Sequence, residues 1–178
     1  KRFFIVFALL TFLAFCLSIP WLGSFLHITD VSLLVLTSAT IALGILHTIN
    51  ISFVQAKMAF GSIVGINIFG AAAKLLIGLP LIFLGFAVNG AVGAIFLSAL
   101  LAYLYSFYPI RFVFTTKGSA PKVDTKALFH YGVTTILTFF GITSFITADI
   151  ILVKHYFDPN SAGIYAALAL IGKVIFYV

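Results

Sequence analysis

The sequence predicts an all-α fold, a polytopic bundle of transmembrane helices. Three observations carry that reading. The 178 residues are 63% hydrophobic and only 8% charged, whereas soluble domains carry about 25% charged residues. Six apolar runs approach the roughly 20 residues that a helix needs to cross a hydrocarbon core of about 30 Å. The cations gather in alternate loops between those runs.

The runs cover residues 3–25, 31–54, 62–86, 91–110, 127–153 and 160–178. The first, opening "KRFFIVFALLTFLAFCLSIP", has the basic start and apolar core of a signal peptide. No small-x-small cleavage site follows it, so it reads as a membrane span. Cys16 lies within it as a small buried hydrophobe, and one cysteine builds neither a disulfide framework nor a metal site. "HITD" separates the first pair of spans, and "VQAKMAFGS" follows the second. "FAVNGAVG" reads as a tight Asn-Gly turn between the third and fourth. "RFVFTTKGSAPKVDTK" is the longest polar stretch, and "HYFDPNSAG" is the last break. Asp158, Asn160 or Ser161 is expected to cap the sixth helix, with Pro159 setting its first turn. The chain begins at Lys1 rather than Met and ends "GKVIFYV", inside an apolar run. It is therefore expected to be a fragment of a longer protein.

Lys1 and Arg2 precede the first span, Lys57 follows the second, and Arg111, Lys117, Lys122 and Lys126 follow the fourth. If the spans alternate, all of these share one side and Lys154 stands alone on the other. The positive-inside rule then makes the Lys57 and Arg111–Lys126 loops cytoplasmic. The same asymmetry accounts for the net charge of +6, so no nucleic-acid footprint is needed. The polar loop 111–126, with Gly118, Ser119 and Pro121, is expected to link a four-helix portion, 1–110, to a second portion, 127–178. Trp21, Tyr103, Tyr105, Tyr108 and Tyr156 lie near expected interfaces, where aromatic belts form.

Ionisable residues inside a membrane are rare and face a partner or a cavity. Lys74 lies about ten residues from either end of its span, on a face with Asn67, Gly70, Ala71 and Gly78. Lys74 and Asn67 are therefore cavity candidates, with a structural ion pair or snorkelling as the plainer alternatives for the lysine. Lys173 shares a face with Ala162, Ala166 and Ala169, and is a second cavity candidate. Asp149 shares a face with Tyr131, Thr135, Thr138 and Ile142. Its carboxylate reads as a proton or cation site, an ion-pair partner for a lysine, or a group near the outer interface. His47, His27, His130 and His155 read as histidines of the interface.

No catalytic set is present. There is no HExxH pair, phosphate-cradling loop, Cys/His cluster or usable Ser/His/Asp arrangement. The four acidic residues leave little for acid–base work. The expectation is a protein that is not an enzyme and carries no cofactor and no metal.

Two runs carry a family resemblance. "GLPLIFLGFAVNGAVGAIFLSALLAYLYSFYPIR" with its basic linker, and then "ADIILVKHYFDPNSAGIYAALALIGKVIFYV", resemble the polysaccharide-transport branch of the multidrug/oligosaccharidyl-lipid/polysaccharide flippase superfamily. The resemblance implies a fragment of a two-lobe, MATE-like transporter of about twelve to fourteen helices. It implies residues 1–110 at the end of the N-terminal lobe and 127–178 at the start of the C-terminal one. It implies alternating-access movement of a polyprenyl-pyrophosphate-linked oligosaccharide across the plasma membrane, without covalent chemistry. The expected partners are that lipid-linked substrate, membrane lipids and a coupling H⁺ or Na⁺. Lys74 and Lys173 then become candidates to attract the pyrophosphate, and Asp149 a counter-charge or coupling group.

Two alternatives stand beside this. A drug or cation exporter of the same superfamily would favour acidic groups in its cavity, and the two intramembrane lysines outnumber the one aspartate. A membrane-embedded enzyme of glycan assembly would carry a large extracytoplasmic loop, and every outer loop here is short.

Overall fold

A computed structural model describes residues 2–115 and 125–173. Every regular element among them is helical. α1 spans Arg2–Leu26, α2 Val31–Ala56, α3 Phe60–Leu81, α4 Ala87–Ile110, α5 Phe112–Thr115, α6 Thr125–Tyr156 and α7 Pro159–Lys173. A π-helical segment, Ile82–Phe86, joins α3 to α4. The central part of the expected linker, residues 116–124, lies outside the described residues, as do 174–178.

Among the described residues four stretches are long and apolar enough to cross a membrane: Ile5–Leu26, Val31–Ala56, Phe60–Ile110 and Leu128–Tyr156. In hydrocarbon a helix satisfies all its own backbone hydrogen bonds, which is why apolar runs of this length become helices. The third stretch has 51 residues. Straight, it would reach roughly 76 Å, more than twice the bilayer core. It reverses instead. Gly85 takes φ +89° and Ala87 φ +43°, and the chain doubles back between them. Gly70 then faces Ala102, and Gly78 faces Ala94, so α3 and α4 run antiparallel.

This corrects the expected Asn-Gly turn. The reversal sits upstream, where Gly85 supplies the left-handed backbone at no steric cost. Asn89 and Gly90 belong to the first turn of α4 and serve other ends. A Cβ on Gly90 would lie 2.9 Å from the Phe86 Cβ and 3.2 Å from the Leu81 backbone carbon. Hydrogen there lets the turn fold onto the helix. The Asn89 amide donates to Asp30 Oδ2 at 2.7 Å.

The chain divides into two compact units, Lys1–Gly23 with Thr29–Gly118, and Ser24–Ile28 with Ser119–Val178. In the first unit α4 is the centre and packs on both α2 and α3. Its buried row is Gly90, Ala94, Ser98, Ala102, Ser106 and Ile110, one residue in every four. Small side chains at that interval let helix backbones approach closely, which is how helices associate where water drives nothing. Polar links join α2 to α4 at both ends. The Asn50 amide donates to Ser106 Oγ at 2.8 Å, both residues being buried. At the other end Ser32 Oγ lies 3.1 Å from Asn89 Oδ1 and 2.7 Å from Asp30 Oδ1. Asp30 is also the N-cap of α2, accepting from Ser32 N at 3.0 Å. α2 ends in a Schellman turn. Met58, with φ +55°, donates its N–H to Gln55 O, and Ala59 donates to Val54 O.

In the second unit α6 and α7 pack against each other. Among the expected caps Asp158 does the work: its Oδ2 accepts from Asn160 N at 3.1 Å and Ser161 N at 3.0 Å. Pro159 follows as the first residue of α7. Near the C-terminal end of α6 the His155 ring stacks on Phe25 with centroids 4.2 Å apart. His155 Nδ1–H donates to Phe25 O at 2.7 Å, which assigns its tautomer because a carbonyl only accepts.

Gly90→Ala is expected to lower stability by about 1–3 kcal/mol through overpacking, visible as a lower melting temperature in detergent. Asp30 gives a pH test. The Asn89 amide, then the Ser32 hydroxyl and N–H, hold its carboxyl below the ordinary 3.8. A depressed folded value means that the contribution is fully present above the unfolded value and is lost as pH falls through the folded one. The difference in melting temperature between the wild type and Asp30→Asn should therefore be constant from neutral pH to about pH 5 and shrink below about pH 4.

Candidate functional site

In the first unit a cavity of about 280 Å³ opens between α2, α3 and α4. Its polar lining is His47 from α2, Asn67 and Lys74 from α3, and Ser98 from α4. Gly70 and Ala71 complete the α3 wall, as the expected face of Lys74 required. Gly78, from the same expected face, packs instead against Ala94. Small residues do two jobs on α3: they admit α4 closely, and they leave room beside the lysine. No carboxylate lines this cavity. Asn67 and Lys74 are both exposed.

Ser98 is buried and its hydroxyl donates to Ile95 O at 2.9 Å, so its proton is spent within α4. His47 was expected at an interface. It lies instead along the cavity wall, roughly 13 Å of helix before the end of α2. Its Nδ1 is enclosed and has no hydrogen-bond partner among the described residues. Pattern alone left His47 among polar neighbours at the end of a span. Only the packing of α2 on α4 carries its ring to the wall that Lys74 shares.

The second unit holds the other pair of candidates. A cavity of about 580 Å³ is lined by Asp149 with Ile142, Phe145 and Ile146 on α6, and by Tyr165, Ala169 and Lys173 on α7. Lys173 Nζ lies 3.8 Å from Asp149 Oδ1, an ion pair beyond hydrogen-bond length. Tyr165 Oη donates to Asp149 Oδ2 at 3.0 Å. The two oxygens of one carboxylate thus serve two α7 side chains. Of the polar face expected around Asp149, Thr135 and Thr138 turn inward to their own helix. Their hydroxyls donate to Tyr131 O at 2.8 Å and Thr134 O at 3.0 Å. Such bonds commit the hydroxyl protons to the backbone of α6. Tyr165 was missed in the sequence. It stands eight residues before Lys173, with Ala169 midway, which is a helical face by spacing. Ala162, expected on that face, is buried.

The two lysines therefore differ. Lys173 has its counter-ion built in, whereas the cavity of Lys74 supplies no acid. Among the described residues no group of three or more His, Cys, Asp or Glu is placed to hold a metal ion.

A family model described as polysaccharide biosynthesis protein matches residues 2–173. The chain belongs to that family. The match is consistent with the polysaccharide flippase branch indicated by the two quoted runs. No curated protein and no solved structure matches the chain. Together with its four long apolar stretches, membership makes this polysaccharide biosynthesis protein a multi-pass membrane protein of surface polysaccharide synthesis or export.

Proposed function

We propose that this chain is part of a flippase that moves a polyprenyl-pyrophosphate-linked oligosaccharide across the plasma membrane by alternating access, without covalent chemistry. The observation that carries the reading is Lys74, a mid-span cation lining a cavity without a carboxylate. A charge at that depth is costly unless something neutralises it. An anionic ligand does so, and its own transfer through hydrocarbon is prohibitive without a polar, cationic path. The pyrophosphate of a lipid-linked sugar fits on both counts.

The second unit holds a lysine and a carboxylate of its own. Asp149 neutralises Lys173 in the state described. Protonation of Asp149, or its capture of a coupling H⁺ or Na⁺, would free Lys173 for the anion. Residues 1–110 would then belong to one lobe and 127–178 to the other, joined by a cytoplasmic 111–126 linker, with the protein in the inner membrane. The cation asymmetry supports that orientation. The exporter reading gains nothing from the geometry, because the one acidic group lining either cavity is occupied by a lysine.

In proteoliposomes of the full-length protein, Lys74→Gln should slow translocation of the lipid-linked oligosaccharide by about tenfold or more, the cost of losing one charge-assisted contact, while Lys74→Arg retains most of it. Translocation at the wild-type rate by Lys74→Gln would overturn the reading. Orientation is tested separately with Cys16 replaced and single cysteines at Lys57 or Asp158. A membrane-impermeant maleimide applied to intact cells should label position 158 and spare position 57. The reverse pattern would invert the proposed topology.

A further inference from the structure

We propose that His47 is a second binding residue in the Lys74 cavity, its ring N–H donating to the same phosphoryl oxyanion that Lys74 neutralises. The inference rests on the reading of Lys74 as an anion site and adds a residue from a different helix to it.

The cavity has one charged lining residue, Lys74 on α3. α4 contributes no titratable group to the lining, and the proton of its Ser98 is already committed to Ile95 O. Asn67 carries an amide donor from the same helix as Lys74. His47 is therefore the one titratable group that α2 brings to this space.

The state of its ring follows from its surroundings. Nδ1 is enclosed and without a hydrogen-bond partner among the described residues. An enclosed N–H with nothing to bond is rarer and costlier than an enclosed lone pair. The neutral ring therefore keeps its proton on Nε2 and has one donor to offer. A ligand that suits Lys74, Asn67 and such a ring must accept hydrogen bonds on several sides and carry negative charge. A phosphoryl group does this. The volume of about 280 Å³ lies just under the roughly 300–1,000 Å³ of small-molecule pockets, which suits a headgroup rather than a whole glycolipid. The two helices also divide the labour. Lysine is a point charge on a flexible stem, so it neutralises the anion without fixing its position. A planar ring on α2 fixes one of its oxygens.

The test exploits side-chain geometry. Glutamine carries its amide nitrogen near the position of the histidine Nε2, and asparagine carries its own near Nδ1. The full chain in detergent is titrated calorimetrically with inorganic pyrophosphate and with farnesyl pyrophosphate. His47→Gln should bind within about threefold of wild type, whereas His47→Asn and His47→Phe should bind about tenfold or more weakly, as expected for a lost donor to a charged acceptor. Melting temperatures of all variants check that each is folded, and the glutamine variant separates a lost donor from a lost shape. Tighter binding of the farnesyl compound assigns the ligand to a lipid-linked pyrophosphate, and equal binding to a free one; either result supports the cradle. If all three His47 variants bind like wild type while Lys74→Gln does not, the inference falls and the Lys74 reading stands. If glutamine loses as much as phenylalanine, the Nε2 donor is wrong. If the wild type binds neither probe, both readings fall.

Discussion

The first unit depends on how closely α4 can approach its neighbours. Between apolar helices in lipid there is no hydrophobic drive, so association comes from close packing and interhelical hydrogen bonds. The row from Gly90 to Ile110 provides the first, and Asn50 with Ser106 provides the second. Gly70 and Gly78 provide the matching surface on α3, where an added Cβ would lie 3.3 Å and 3.4 Å from alanine methyls of α4. The hairpin turn is subject to the same constraint, since Gly90 admits Leu81 and Phe86 only because it has no side chain. The cavity around Lys74 follows from this packing. Small residues bring three backbones together, and the space beside the lysine is what they leave unfilled.

Lys74 and Lys173 show two ways of meeting one electrostatic cost. In the second unit Asp149 meets Lys173, and Tyr165 takes the other carboxylate oxygen. That arrangement pairs the charges, although Asp149 Oδ1 accepts no hydrogen bond among the described residues. In the first unit Lys74 lines a cavity whose other polar groups are neutral. A mutual ion pair needs no ligand, whereas an unmatched cation in a low-dielectric space draws an anion to it. A single carboxylate therefore separates the paired Lys173 from Lys74, whose cavity holds no acid.

Much of the fold was legible because hydrophobic length is a strong signal. The expected spans all fall on helices, as far as the described residues extend, and Asp158–Pro159 begins α7 as the turn chemistry required. The Asn-Gly turn was misplaced because Gly85 and Gly90 both offered a site for the reversal. Asn-Gly is the commoner turn signal, yet Gly85 takes the left-handed backbone and Asn89 is drawn to Asp30 across the unit. Of the face expected around Lys74, Asn67, Gly70 and Ala71 line its cavity, whereas Gly78 packs on Ala94. His47 and Ser98 were not placed beside Lys74, because they come from other helices and no period along one helix reports on another. Tyr165 was within reach of spacing alone, since it shares the face of Ala169 and Lys173.

By itself, the sequence determined the class of protein, its helical spans, the rarity of charges within its apolar runs and its resemblance to polysaccharide flippases. Those properties follow from local chemistry: runs too apolar for water, long enough for a bilayer, and punctuated by loops whose cations gather in alternate positions. Tertiary structure decided which lysine has a carboxylate beside it, where the chain reverses, and that His47, Asn67 and Lys74 line one space. These depend on contacts between residues far apart in the chain. Such contacts are set by the fit of small side chains across helix interfaces, which helical periodicity describes one helix at a time.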